Sequence, residues 1–195
     1  MFKSSEIDKI QEDMAEELDT KRFWHTLGVA NIAAALAMRY DVDMTTAYVA
    51  GLLHDCAKCI SDKKKFSICK KNNISISETE HQNPSLLHAK VGAFIAADKY
   101  HIEDSKVIDA IKYHTTGRPG MTDLEQIIYI ADYIEPGRNK APNLDIIRHL
   151  AFIDKEKALL KILEDSLFYL KDSEHEIDNA TQETYDFYKN NLEGK

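Results

Sequence analysis

Four histidines and two aspartates stand in apolar helical stretches where ionisable groups are costly: His25, the adjacent pair His54-Asp55, His88, His114 and Asp132. Burying even a neutral polar group without a partner costs roughly 2–7 kcal/mol, so groups placed this way require a common partner. His25 heads the stripe Gly28, Val29, Ile32, Ala33, Leu36, and His88 heads Val91, Gly92, Ile95, Ala96. His114 closes a stripe running back through Ile111, Ala110 and Val107, and Asp132 interrupts the apolar run from Ile127 to Ile134. The stripes have the i, i+3, i+4, i+7 spacing of a core-facing helix side. His54 and Asp55 point about 100° apart on a helix, yet both reach one ion where a helix ends and its backbone unwinds. Ala50 and Gly51, one turn earlier, leave room for a neighbouring helix or ion to approach.

A single buried histidine is more often a hydrogen-bonded core residue than a ligand. Six such groups on five separate helices are hard to explain as independent core decoration, and one or two metal ions satisfy all of them. Mixed imidazole and carboxylate donors suit iron, manganese, cobalt, nickel or zinc, and the lack of a third carboxylate argues against a magnesium-only site. Such an ion polarises a phosphoryl oxygen and acidifies a bound water, and two ions about 3.5–4 Å apart clamp the attacking and leaving oxygens. The chemistry is metal-assisted hydrolysis of a P–O bond. By contrast, His81, His101, His149 and His175 sit in polar or loop-like contexts and read as surface residues.

Two loops directly follow candidate ligands: Thr115-Thr116-Gly117-Arg118-Pro119-Gly120 after His114, and Glu135-Pro136-Gly137-Arg138-Asn139 after Asp132. Each carries one arginine beside glycine. One such loop alone is an ordinary helix-ending turn with a solvated arginine, whereas two of them just past ligands point to phosphate contact by Arg138 and Arg118. Cys56 and Cys59 form a C-x-x-C, but it lacks the strand-to-helix context of a redox pair and a second ligand pair for structural zinc. They read as small thiols at a helix end.

The elements that must position these groups are helical. Seven glycines and four prolines in 195 residues, with 44% apolar and 30% charged residues, disfavour an all-β sandwich and fit a single all-α domain. Helices are predicted near 5–18, 21–39, 44–55, 62–71, 85–99, 103–113, 122–134, 143–151, 154–171 and 178–192, with a core at about 18–152 and C-terminal helices over 153–195. Thr45-Thr46 and Asp123-Leu124-Glu125 read as N-terminal caps or first-turn acids. A net charge of −8 argues against a dedicated nucleic-acid binder, though not against a small phosphorylated substrate. No secretory start or long apolar run is present and three cysteines make an odd count, so a soluble, cytoplasmic protein is expected. The last two helices are free to pack on their own domain or on a second copy, leaving a homodimer open.

The order His25, His54-Asp55, Asp132, with His88 and His114 between, resembles the HD-domain metal-dependent phosphohydrolases. The strings RFWHTLGVA, AGLLHDCAK, LLHAKVGA and IKYHTTGRPGMTDLEQIIYIADYIEPGR narrow the resemblance to the YqeK family, from about Lys21 to Ala151. That family cleaves diadenosine tetraphosphate symmetrically into two ADP. The resemblance implies an HD-type helical bundle and metal ligation by His25, His54, Asp55 and Asp132, with iron as the expected ion and manganese or another divalent transition metal as alternatives. It implies that His88 and His114 hold a second ion or touch substrate phosphates, that Lys58 lies near the phosphates, and that Thr115, Gly117 and Arg138 contact the nucleotide. Lys58, Arg138 and Arg118 would then neutralise transition-state charge, and His88 or His114 would protonate the departing ADP oxygen. The competing readings are another HD-class phosphohydrolase (acting on guanosine tetraphosphate, a dNTP, a cyclic dinucleotide or a nucleoside monophosphate), a nucleotide-sensing module with a structural metal, and a bare helical scaffold. Lys58 and Arg138 favour an enzyme.

Overall fold

The computed structural model describes residues 2–172 and 179–194, and among them every regular element is helical. In chain order these are α1 (Ser4–Glu17), α2 (Thr20–Arg39), α3 (Met44–Leu53), α4 (Asp62–Lys71), α5 (Glu78–Gln82), a 3₁₀ turn (Pro84–Leu86), α6 (Leu87–Asp98), α7 (Ser105–Tyr113), α8 (Asp123–Ile134), α9 (Leu144–Ile153), α10 (Lys155–Asp172) and α11 (Asn179–Glu193). The all-α expectation holds.

The helix starts follow from side-chain caps. Asp19 accepts from the Arg22 N–H at 2.9 Å to open α2, and Asp43 accepts from Thr46 N–H at 2.7 Å to open α3. The cap of α3 is therefore Asp43 and not Thr45-Thr46, whose backbone supplies a donor. Thr122 and Glu125 form a reciprocal capping box on α8, with Asp123 and Glu125 as first-turn acids at the positive end of the helix dipole. Helix α5 was not legible: five residues, ETEHQ, carry no apolar period and are held by the Ser77–Glu80 capping box.

The frame of the molecule is α2 laid on α3 and α8, with α7 against α3, α8 and α6. Val29, Ala30, Ala33, Leu36 and Ala37 are buried on α2, as the stripe from His25 requires. Close approach of α2 and α3 depends on Gly51, where a Cβ would lie 2.6 Å from the Ala30 Cα. The room left by Gly51 is thus filled by a helix. One hydrophobic core runs from Ile10 on α1 to Tyr188 on α11, so α10 and α11 pack on their own domain. Among the described residues no helix is long and apolar enough to cross a membrane.

Helix α3 ends at Leu53, two residues short of the predicted limit. His54, still at helical backbone angles (φ −55°, ψ −39°), caps α3, and Asp55 stands in the turn that follows. Helix α8 ends at Ile134, before Pro136, as the restriction on the residue preceding a proline demands.

Candidate metal centre

All six predicted residues converge. The Asp55 Oδ2 atom lies 3.5 Å from His54 Nε2 and 3.8 Å from His25 Nε2, while its Oδ1 atom lies 3.2 Å from His88 Nε2 and 3.6 Å from His114 Nε2. Asp132 Oδ1 stands 3.1 Å from His25 Nε2. Three overlapping triads result, His25/His54/Asp55, His54/His114/Asp132 and Asp55/His88/His114, each with its donor atoms within 4.8 Å of one another. His54, Asp55, His88 and His114 are buried.

The outer nitrogen of every imidazole is tied down. His54 Nδ1 donates to the Gly51 carbonyl at 2.7 Å, His114 Nδ1 to Ile111 at 2.7 Å, and His88 Nδ1 to Ser85. His25 Nδ1 meets Glu135 Oε1 at 3.1 Å. A carbonyl only accepts, so Nδ1 of His54, His88 and His114 carries the proton and Nε2 presents a lone pair to the interior. This is how metal-binding histidines are oriented by outer partners. His88 Nε2 and His114 Nε2 face each other at 3.1 Å, an arrangement of two lone pairs that a cation turns from repulsive to favourable.

Among the described residues six buried side-chain polar atoms have no hydrogen-bond partner, and three of them, His25 Nε2, His54 Nε2 and Asp55 Oδ1, belong to this cluster. Orphaned buried polar atoms are rare and call for an explanation. Their concentration in one cluster fits a divalent metal cofactor. Burial pushes His54 and His88 down to about 4, leaving both neutral and able to coordinate at pH 7. Burial alone would raise the Asp55 carboxyl, but His54, His114 and His88 outweigh it and hold the group well below the usual carboxylate range.

An HD domain model matches residues 22–137, the stretch from Arg22 to Gly137 that supplies every one of these donors. The symmetrical bis(5'-nucleosyl)-tetraphosphatase of Bacillus subtilis (strain 168) is 37% identical over 88% of this chain and 91% of its own length. The chain belongs to the HD-domain hydrolases of this symmetrical tetraphosphatase, YqeK-like family. The symmetrical bis(5'-nucleosyl)-tetraphosphatase of Staphylococcus aureus (strain NCTC 8325 / PS 47) is 36% identical over 93% of this chain and 94% of its own length. The crystal structure of a predicted HD superfamily hydrolase involved in NAD metabolism from Clostridium acetobutylicum superposes with a TM-score of 0.92 at 37% identity, covering 98% of this chain and 99% of that one. The HD-domain chain described here is accordingly a metal-dependent nucleotide phosphohydrolase.

Three cations border the HD cluster. Lys58 Nζ donates to His88 Nε2 at 3.1 Å and lies 3.8 Å from Asp55 Oδ1, and burial lowers its ammonium pKa. Arg138 Nη2 donates to Asp132 Oδ1 at 2.8 Å and to the Asp132 carbonyl at 2.9 Å. Arg22, which sequence reasoning missed, donates to Asp55 Oδ2 at 2.6 Å. Its signal was present: it lies three residues before His25 on the same helix face. The Thr115 hydroxyl adds contacts of 3.2 Å to His114 Nε2 and 3.3 Å to His88 Nε2.

Arg118 and Gly117 are not brought to the cluster. Arg118 is held by Glu125 through Nε at 2.6 Å and Nη2 at 3.0 Å, and lies over the Tyr113 ring. The bidentate carboxylate that holds the guanidinium stands in the first turn of α8. Gly117 closes α7 at φ +68°, and a Cβ there would lie 2.8 Å from Thr184 Cγ2 on α11, so its space is taken by the C-terminal helix. His81, His101 and His149 are exposed as expected, and His175 lies outside the described residues. Cys56 is buried with its thiol pushed up to about 12 by that burial, and all three cysteines are free.

Glu135 was also missed. Its Oε1 meets His25 Nδ1, and its Oε2 accepts from the Gly137 N–H at 2.6 Å. Gly28 makes this possible, since a Cβ there would lie 2.7 Å from Glu135 Oε2. Glu135→Ala is expected to weaken divalent metal affinity by about 10–100-fold with helicity unchanged, measured by manganese titration and circular dichroism. Wild-type affinity in the variant would remove Glu135 from the support of His25.

Proposed function

We propose that this chain hydrolyses diadenosine tetraphosphate symmetrically into two ADP, with iron as its ion and manganese as the alternative. The observation that carries the reading is Asp55, whose two oxygens face two different histidine sets while Arg22, Lys58 and Arg138 ring the same cluster. That set of donors and cations suits a multiply charged phosphate chain, and the Bacillus and Staphylococcus relatives support the tetraphosphate.

His25, His54, Asp55 and Asp132 would hold one ion, and His88 and His114, with the second oxygen of Asp55, would hold a second ion or meet the phosphates. A divalent ion bound there supplies Lewis-acid polarisation of a phosphoryl oxygen and a more acidic water. Lys58, Arg22 and Arg138 neutralise charge as the transition state develops, which is most of the work in phosphoryl transfer. Because the Nδ1 protons of His88 and His114 are held on carbonyls, their Nε2 atoms are acceptors, and the Lys58 ammonium is the better placed proton donor for the departing ADP oxygen. Thr115 orients His88 and His114 from the side.

Lys58→Ala is therefore expected to lower kcat by about 100-fold or more, in the range of a lost general acid, while metal content stays at the wild-type level. Full activity or loss of the metal would each overturn this role. The substrate assignment is tested by ion-exchange analysis of products from diadenosine tetraphosphate with the iron- or manganese-loaded protein. ADP as sole product is the expected result. ATP with AMP, or no turnover with metal demonstrably bound, overturns it.

A further inference from the structure

A cavity of about 530 Å³ lies beside the metal cluster, between the segment after α8 and helix α10. Two of its wall residues also touch the cluster: Thr115, 3.2 Å from His114 Nε2, and Arg138, 2.8 Å from Asp132 Oδ1. Its volume falls within the roughly 300–1,000 Å³ of small-molecule sites. The remaining wall combines the aromatic rings of Tyr133 and Tyr169 with Leu86 and the polar side chains of Asp165 and Ser166. Tyr169 is 65% exposed, a large ring left open beside a phosphate-binding centre.

We propose that this cavity seats one nucleoside of the substrate, with the base stacked on Tyr169 and the 5'-phosphate passing between Thr115 and Arg138 to the metal cluster. The inference rests on the nucleotide hydrolase reading and adds the residue that holds the base. Every base has a face that stacks on an aromatic ring, and a wall that joins aromatic, apolar and hydroxyl groups to the cations Arg138 and Lys140 fits a nucleoside carrying its phosphate better than a bare phosphate. Asp165 gives the site an acceptor of fixed orientation, since Asn143 Nδ2 donates to its two oxygens at 3.0 and 2.9 Å. Lys161 Nζ also lies 3.2 Å from Oδ1, so the remaining lone pair of Oδ2 is the one left for a ribose hydroxyl or an exocyclic amine. A hollow of similar size on the other side of Arg138 is lined by residues such as Asn139, Leu144 and Arg148 and offers no aromatic ring, so it lacks the stacking surface.

The test is calorimetric titration of the manganese-loaded protein, wild type against Tyr169→Ala and Tyr169→Phe, with ADP and with inorganic tripolyphosphate as a base-free probe. Tyr169→Ala is expected to weaken ADP binding roughly 5- to 100-fold, the span of one lost base stack, with tripolyphosphate binding unchanged. Tyr169→Phe is expected to retain ADP affinity. Unchanged ADP affinity in Tyr169→Ala, or equal loss for both probes, overturns the assignment. The two readings fail separately. Selective loss of ADP by Tyr169→Ala in a protein that does not cleave diadenosine tetraphosphate upholds the base site and removes the substrate. Symmetric cleavage with unchanged ADP affinity in the variant does the reverse.

Discussion

Asp55→Asn is expected to abolish hydrolysis and deplete the metal in a single step. Its Oδ2 faces His54 and His25 at 3.5 and 3.8 Å and its Oδ1 faces His88 and His114 at 3.2 and 3.6 Å. An amide replaces one anionic oxygen with an N–H₂ donor aimed at imidazole lone pairs or at a cation, so one of the two donor sets loses its carboxylate and the charge of both falls. The loss should exceed the roughly 10–100-fold cost of outer-sphere partners, reaching about 1,000-fold or more in kcat/KM. Metal content by mass spectrometry and kcat/KM for the same preparation check this. Asp132→Asn serves as the comparison: Asp132 belongs to one of the three donor triads where Asp55 belongs to two, so partial metal retention is expected. An Asp55→Asn protein that kept its full metal complement and turned over normally would remove Asp55 from the centre of the site.

The second large effect is on stability. Gly51→Val is expected to destabilise the fold by about 3 kcal/mol or more, at the upper end of overpacking costs. A Cβ at this position meets the Ala30 Cα at 2.6 Å and the Ala30 nitrogen at 3.0 Å. These are backbone atoms of α2, which cannot step aside as a side-chain tip can. Helices α2 and α3 must separate, and they carry His25 and the approach to His54. For a chain of this size the thermal midpoint should fall by roughly 6–12 °C, with metal affinity falling in parallel. Gly92→Ala is the control, because a Cβ there stays 3.4 Å from Cys56 Sγ and Ile111 Cγ2, close to ordinary contact. Thermal melts of both variants decide the matter, and equal midpoints would refute the packing argument.

What was legible in the chain follows from what periodicity records. The stripes through His25, His88 and His114 encode which side of each helix faces the core, so the six inward donors and the helices bearing them could be read directly. Periodicity says nothing of where a charged side chain on the rim of a helix turns. Nor does it tell that Arg22, on a helix, reaches Asp55 while Arg118, in a loop, closes on Glu125. Glu135 escaped because its role depends on a contact with His25 across 110 residues and on the missing side chain of Gly28. The end of α3 was overrun by two residues since His54 and Asp55 continue an acceptable helical composition.

Three of the four imidazoles hang from the carbonyl three residues before them: His54 from Gly51, His88 from Ser85 and His114 from Ile111. Each such ring is aimed by its own turn of backbone, so its direction does not wait on an ion to gather distant parts of the chain. Exchange of one divalent ion for another then requires no rebuilding of the fold. Supply of metals in the surroundings, and not a folding step, would decide which ion the protein carries at a given moment. His25 is the exception, steered by a carboxylate from the far end of the domain, and it is there that selectivity between ions has room to be tuned.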